Sequence, residues 1–129
     1  MKTIPYGHQC IDKNDIHAVL DVLESDRLTQ GPRIQEFEDA LCKYTNAKYA
    51  VAVSSGTAAL HIACVAGGLT QDDEVIVSPM TFIASANCVI YSGGRPVFVD
   101  TEENTGNINP DGIEEKITET ATDLRLRDG

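Results

Sequence analysis

One stretch limits the possible folds more than any other: Ala50-Val51-Ala52-Val53-Ser54-Ser55-Gly56-Thr57-Ala58-Ala59-Leu60. Residues 49–53 are almost wholly apolar, as expected of a strand covered on both faces. A turn of small residues then passes directly into a helix through residue 63, closed by Gly67-Gly68. The alternation repeats downstream. Glu74-Val75-Ile76-Val77 reads as a second strand, and Ser78-Pro79 leads into a helix over about residues 81–91, stopped by Gly93-Gly94. Pro96-Val97-Phe98-Val99 is a third strand, and residues 111–118 form a short acidic helix. Strands alternating with helices over short connections imply βαβ units, so the chain is α/β, with a mostly parallel sheet and helices on both faces.

The N-terminal part has a different texture. Residues 1–11 read as an extended lead-in. Asp12 starts a helix, Asp15 three residues on strengthens that start, and Ile16, Val19, Leu20 and Leu23 form its apolar stripe. Arg27-Leu28-Thr29-Gln30-Gly31 is a loop, and Pro32 suits the first position of a second helix that aligns Ile34, Phe37 and Leu41. The expected organisation is a helical lead-in over 1–48, a partial α/β domain over 49–118 and an atypical tail over 119–129. In that tail Leu124 and Leu126 alternate with charges. This pattern allows an edge strand but not a buried central one.

The 129 residues carry 20 acidic and 10 basic side chains, a formal net charge of -10, with no basic cluster to neutralise phosphates. The expected partners therefore include neither nucleic acid nor an anionic membrane surface. No apolar run is long enough to span a bilayer and the first ten residues do not resemble a signal peptide, so a cytoplasmic location is expected. Cys10, Cys42, Cys64 and Cys88 are widely spaced, with no CxxC pair to suggest a metal site. Cys64 and Cys88 lie in apolar runs, where a free thiol behaves as a small hydrophobe. His8, His17 and His61 lack ligand-like spacing and read as surface or satisfied core residues.

The chemistry concentrates at Ser54-Ser55-Gly56-Thr57. Gly56 allows close approach to the backbone, and the first N–H groups of a helix are unsatisfied donors reinforced by the helix dipole. An anion site suited to phosphate is one reading, with Ser55 and Thr57 adding hydroxyls; a plain helix cap is the other, and spacing alone leaves both open. The further glycines of the dinucleotide fingerprint and the lysine of a Walker loop are absent, which ranks a nicotinamide-dependent enzyme low. By its surroundings Phe82 reads as a core residue at a helix start and Arg27 as a solvated loop cation. Asp100, at a strand end, reads as a turn or cap residue.

Taken in order, Tyr6, Leu28-Thr29-Gln30-Gly31-Pro32, Phe37-Glu38, Ala50 to Leu60, Asp73-Glu74-Val75-Ile76, Pro79-Met80-Thr81-Phe82 and Gly94-Arg95-Pro96-Val97-Phe98-Val99-Asp100 form a recognisable set. The set resembles the DegT/DnrJ/EryC1/StrS family of pyridoxal-phosphate-dependent nucleotide-sugar aminotransferases, over about residues 3–118. The resemblance implies the N-terminal part of a fold type I large domain. It further implies transfer of an amino group from glutamate to a 4-keto nucleotide-linked deoxysugar, in surface polysaccharide or pseudaminic acid-type sugar synthesis, by a homodimer. By the same resemblance Ser55, Gly56 and Thr57 hold the cofactor phosphate and Phe82 stacks on its ring. Tyr6, Asp26, Arg27, Leu28 and Thr29 meet the nucleotide-sugar, with Ser55 close to the same site.

The resemblance also locates what is missing. The family's Schiff-base lysine and the aspartate that pairs with the pyridinium nitrogen match no position here. Lys2, Lys13, Lys43, Lys48 and Lys116 all read as solvated residues. The chain by itself is thus expected to be an inactive, truncated member of the family, its reading frame shifted or stopped near residue 120. The alternative is a non-catalytic remnant that binds a phosphate ligand or pairs with an intact relative.

Overall fold

The computed structural model describes residues 7–117, so Tyr6 and the atypical tail lie outside the described residues. The chain divides into two compact units, with the boundary between Ala52 and Val53.

The first unit holds α1 (Lys13–Leu23) and α2 (Pro32–Thr45). The start of α1 follows the sequence expectation. Asp12 Oδ1 accepts the N–H of Asn14 at 2.7 Å and of Asp15 at 3.1 Å, and Asp15 Oδ2 accepts the Asp12 N–H at 2.8 Å. This reciprocal capping box satisfies donors that the first helical turn leaves free. Its apolar stripe of Ile16, Val19, Leu20 and Leu23 remains exposed. Pro32 opens α2 after the N-cap Gly31, and Asn46 ends it in the left-handed conformation at φ 58°.

The expected strand over residues 49–53 is absent. Val51 is 73% exposed, and the Ala52 N–H is taken by the Glu38 carboxylate of α2 at 2.8 Å instead of by a neighbouring strand. An apolar run becomes a strand only where a ladder partner receives its backbone groups. Among the described residues the only ladder lies further along the chain.

That ladder is a βαβ unit in the second half. β1 (Glu74–Val77) runs parallel to β2 (Arg95–Phe98), with Glu74 opposite Arg95 and Val77 opposite Phe98. The first facing pair, Glu74 and Arg95, is an ion pair. Val99 N–H extends the ladder to the Val77 carbonyl at 3.2 Å. The crossover is α4 (Ala84–Tyr91), which lies against both strands, and α3 (Gly56–Ala66) packs onto α4. The helix expected from about residue 81 thus begins at Ala84, leaving Phe82 two residues ahead of it. The last helix, α5 (Asp111–Glu114), is shorter than expected, and Thr118 lies outside the described residues.

The core gathers Val77, Ala86, Cys88 and Val89, with Cys64, Leu69 and Val75 packed against it. The chain returns from α4 to β2 through a crowded corner. A Cβ at Gly94 would stand 3.2 Å from the Asp73 carbonyl oxygen and from Leu69 side-chain carbons, so glycine suits this close approach. Asp100 serves a turn, as expected: its Oδ1 accepts the Thr101 N–H and its carbonyl the Asn109 N–H, both at 2.8 Å.

Cys88 and Val89 generate two tests. Val89 is fully buried, so Val89→Ala is expected to cost about 2 kcal/mol, read as a lowered urea midpoint with unchanged slope. Burial first, and the neighbouring Cys64 thiol second, push the Cys88 thiol above its ordinary value. A raised folded-state value leaves stability intact below the unfolded thiol's own range and lowers it as pH rises beyond. Urea midpoints should therefore fall above about pH 8.5, and Cys88→Ala should flatten that fall.

Candidate functional site

The second unit contains a cavity of about 700 Å³ lined by Gly56, Thr57, Ala59, Leu60, Ala63, Phe82, Ala84 and Ser85. One wall is a single helical face, since positions 56, 59, 60 and 63 follow the i, i+3, i+4, i+7 spacing along α3. The opposite wall is the segment leading into α4. Three residues singled out in the sequence, Gly56, Thr57 and Phe82, meet here across 25 positions of chain.

At the start of α3 the donors divide cleanly. Ser55 is the N-cap: its Oγ accepts the Ala58 N–H at 3.1 Å, and its carbonyl accepts the Ala59 N–H at 3.0 Å. The amides of Gly56 and Thr57 have no acceptor among the described residues. Ser55 thus caps the helix, and Gly56 and Thr57, whose amides have no acceptor among the described residues, line the cavity. A Cβ built at Gly56 meets nothing within 4 Å, so packing within the chain does not demand glycine at this position. The bare backbone leaves room beside two donors at the positive end of an 11-residue helix, which fits a phosphate. Phe82 is 74% exposed, so the core reading of this residue is not what the structure gives. Its ring is a flat apolar surface at the cavity, suited to a planar heteroaromatic group.

No lysine among the described residues lines this cavity. The expected substrate positions lie elsewhere, in the first unit. Asp26 and Arg27 line a separate cleft of about 650 Å³ together with Asp21, Gln30, Arg33 and Glu36. Arg33 is already engaged, 2.8 Å from Glu36 and 3.9 Å from Asp21. Arg27 has no carboxylate within 4.0 Å among the described residues, which leaves it as the cleft's available cation. Leu28 and Thr29 do not line the cleft, and Leu28 is 64% exposed. Ser55 lines neither cavity.

Ala59, Leu60, Ala63, Ala84 and Ser85 also line the cavity and were not singled out from the sequence. The signal for the first three was present in the helical spacing from Gly56. Ser85 has no comparable signal, because it joins the cavity only through the packing of α3 on α4.

The sequence model of the DegT/DnrJ/EryC1/StrS aminotransferase family matches residues 9–123. The spore coat polysaccharide biosynthesis protein SpsC of Bacillus subtilis is 46% identical over 115 residues, 89% of this chain and 30% of that protein. The UDP-4-amino-4,6-dideoxy-N-acetyl-beta-L-altrosamine transaminase of Campylobacter jejuni is 39% identical over 121 residues, 94% of this chain and 32% of that protein. Among solved structures, a sugar aminotransferase from Streptococcus pneumoniae in its PLP form superposes with a TM-score of 0.84 at 35% identity. That match covers 92% of this chain and 30% of the other. This chain therefore spans about 30% of the length of the relatives it matches.

Gly56 supplies the test of the cradle. Gly56→Ala fills open space at a helical position, so the urea midpoint is expected to hold or rise slightly. Affinity for pyridoxal phosphate should fall about tenfold as the methyl group displaces an anion from charge-assisted N–H donors. Equilibrium dialysis of both variants checks this; equal affinities would leave Gly56 as a helix-start residue only.

Proposed function

The chain belongs to the DegT/DnrJ/EryC1/StrS aminotransferase family, and from that premise we propose that it supplies the phosphate cradle and stacking wall of a pyridoxal-phosphate site. The observation that carries the proposal is the meeting of the free Gly56 and Thr57 amides with the Phe82 ring around one cavity. In this reading the two amides and the Thr57 hydroxyl hold the phosphate, and the α3 dipole favours its negative charge. Phe82 fixes the plane of the ring by apolar contact. Ser55 acts one step back, holding the first turn of α3 so that the amides stay aimed. Pyridoxal phosphate, when bound, supplies an electron sink for the carbon that exchanges its amino group.

The complete reaction proposed is transfer of an amino group from glutamate to the 4-keto carbon of a nucleotide-linked deoxysugar, for surface polysaccharide or pseudaminic acid-type sugars. Support comes from two relatives: a spore coat polysaccharide biosynthesis protein and an altrosamine transaminase. Arg27 would meet the substrate's diphosphate, as the available cation of its cleft, with Asp26 beside it. Leu28, Thr29 and Tyr6 are proposed to meet the same substrate, on the strength of the family pattern alone. The working enzyme is proposed to be a cytoplasmic homodimer. No helix among the described residues is long and apolar enough to cross a membrane.

The lysine that would bond to the cofactor is proposed to come from outside the described residues, because none of those described lines the cavity. The 129-residue chain alone is then expected to hold pyridoxal phosphate without a covalent link and to show no transamination. Borohydride treatment of the chain with pyridoxal phosphate, followed by peptide mapping, checks this. The expected result is no pyridoxyl group at a unique lysine. A single modified lysine, with visible absorbance lost on reduction, would show a complete catalytic centre here and overturn this part of the proposal.

A further inference from the structure

Phe82 poses a physical problem. A ring that is 74% exposed has little packing to hold it, yet a stacking surface must keep a fixed plane. The bonds around it supply the constraint. Thr81 Oγ1 and Ser85 Oγ lie 3.0 Å apart in a hydroxyl–hydroxyl hydrogen bond that brackets Phe82 from both sides in sequence. Ser85 N–H donates to the Phe82 carbonyl at 3.0 Å, and Ala86 and Asn87 N–H both reach the Ile83 carbonyl at 3.1 and 3.0 Å. Ser85 is also tied to the interior: its carbonyl accepts the Sγ–H of buried Cys88 at 3.3 Å. Ser85 thus joins the exposed segment to the core through its amide, its hydroxyl and its carbonyl, while it lines the cavity itself.

Resting on the reading of this cavity as a pyridoxal-phosphate site, we propose that the Thr81–Ser85 hydroxyl pair is a positioning device that sets the direction in which the Phe82 ring leaves the backbone. Thr81 is exposed and needs no partner to satisfy its hydroxyl, since water would serve. The pair's effect is conformational: it closes the turn over residues 81–85, so the Cα–Cβ direction of Phe82 follows from the position of α4. The α4 helix has no side-chain cap at its N-cap Ile83, so this hydroxyl pair takes over the task of fixing the chain's entry into the helix. Thr81 and Ser85 act through Phe82 and are positioning residues.

The test uses the absence of tryptophan from the chain. Phe82→Trp places a single reporter at the cavity, read by time-resolved fluorescence anisotropy, with bound pyridoxal phosphate read as quenching of its emission. In this background Thr81→Val removes the hydroxyl at nearly constant volume on an exposed site, Thr81→Ser restores a hydroxyl, and Ser85→Ala removes the partner. The expected result is a rise of about twofold in the fast local motion of the indole with Thr81→Val and with Ser85→Ala. Thr81→Ser should return that motion to the parent value. The midpoint of quenching should move up about fivefold with each hydroxyl removed, the worth of one ordinary hydrogen bond. Unchanged local motion in folded Thr81→Val and Ser85→Ala proteins overturns the inference. So does a loss that Thr81→Ser fails to restore, since methyl packing would then be the cause. If pyridoxal phosphate does not quench the parent reporter, the cofactor reading fails, and the anisotropy series alone decides whether the pair holds the ring.

Discussion

Burial of α4 against the parallel ladder is the interaction on which the described second unit depends. Val89, at the centre of that contact, is fully excluded from solvent, and Ala86, Cys88 and Val77 close around it. A side chain of this type contributes roughly 1.5–3 kcal/mol when fully buried. β1 and β2 meet with Glu74 opposite Arg95, and next to that pair a Cβ at Gly94 would stand 3.2 Å from the Asp73 carbonyl oxygen and from Leu69 side-chain carbons. A side chain there would require its neighbours to give by a few tenths of an ångström. The local hydrogen bonds and the apolar core therefore depend on the same few residues.

The position of α4 then determines the candidate site. Because α3 packs on α4, the first turn of α3 and the segment before α4 face one cavity although they are far apart in sequence. Each wall makes a different contribution. The α3 side presents amides without acceptors among the described residues, the natural complement of an anion. The α4 side presents an exposed ring, the complement of a flat apolar group. Pyridoxal phosphate, the ligand proposed for this cavity, has a phosphate at one end and an aromatic ring at the other, complementary to the two walls.

The first unit is electrostatically different. Its cleft carries three carboxylates, Asp21, Asp26 and Glu36, against two guanidiniums, and one of these, Arg33, is already satisfied by Asp21 and Glu36. Surface pairs of this kind add little stability, but they leave Arg27 as the cation available to a ligand. In a chain of net charge -10, one uncommitted arginine in a concave site has more consequence than it would in a basic protein. The apolar stripe of α1 is exposed, as is Phe37 on α2, so the described residues include sizeable apolar surface alongside this polar cleft.

Much of this was legible in the sequence because it depends on local chemistry. The Asp12–Asp15 capping box, Pro32 at the first turn of α2, Ser55 ahead of α3, strand β1 at Glu74–Val77 and the βαβ alternation follow from side-chain reach, fixed φ and hydrophobic period. The failures have a common cause. Residues 49–53 carry the pattern of a buried strand, but pairing is a relation between two segments, and here Glu38 takes the Ala52 amide instead. Phe82 has a core composition around it, yet α4 begins two residues later and leaves the ring exposed at a cavity. By itself the sequence carried the family's pattern of motifs, the α/β alternation and the small-residue turn into α3, because each of these is written in short windows of chain. Tertiary structure alone decided that Gly56, Thr57, Phe82 and Ser85 share one cavity and that, among the described residues, Arg33 meets Asp21 while Arg27 meets no carboxylate, because distance between separate elements is set by packing and has no local signature.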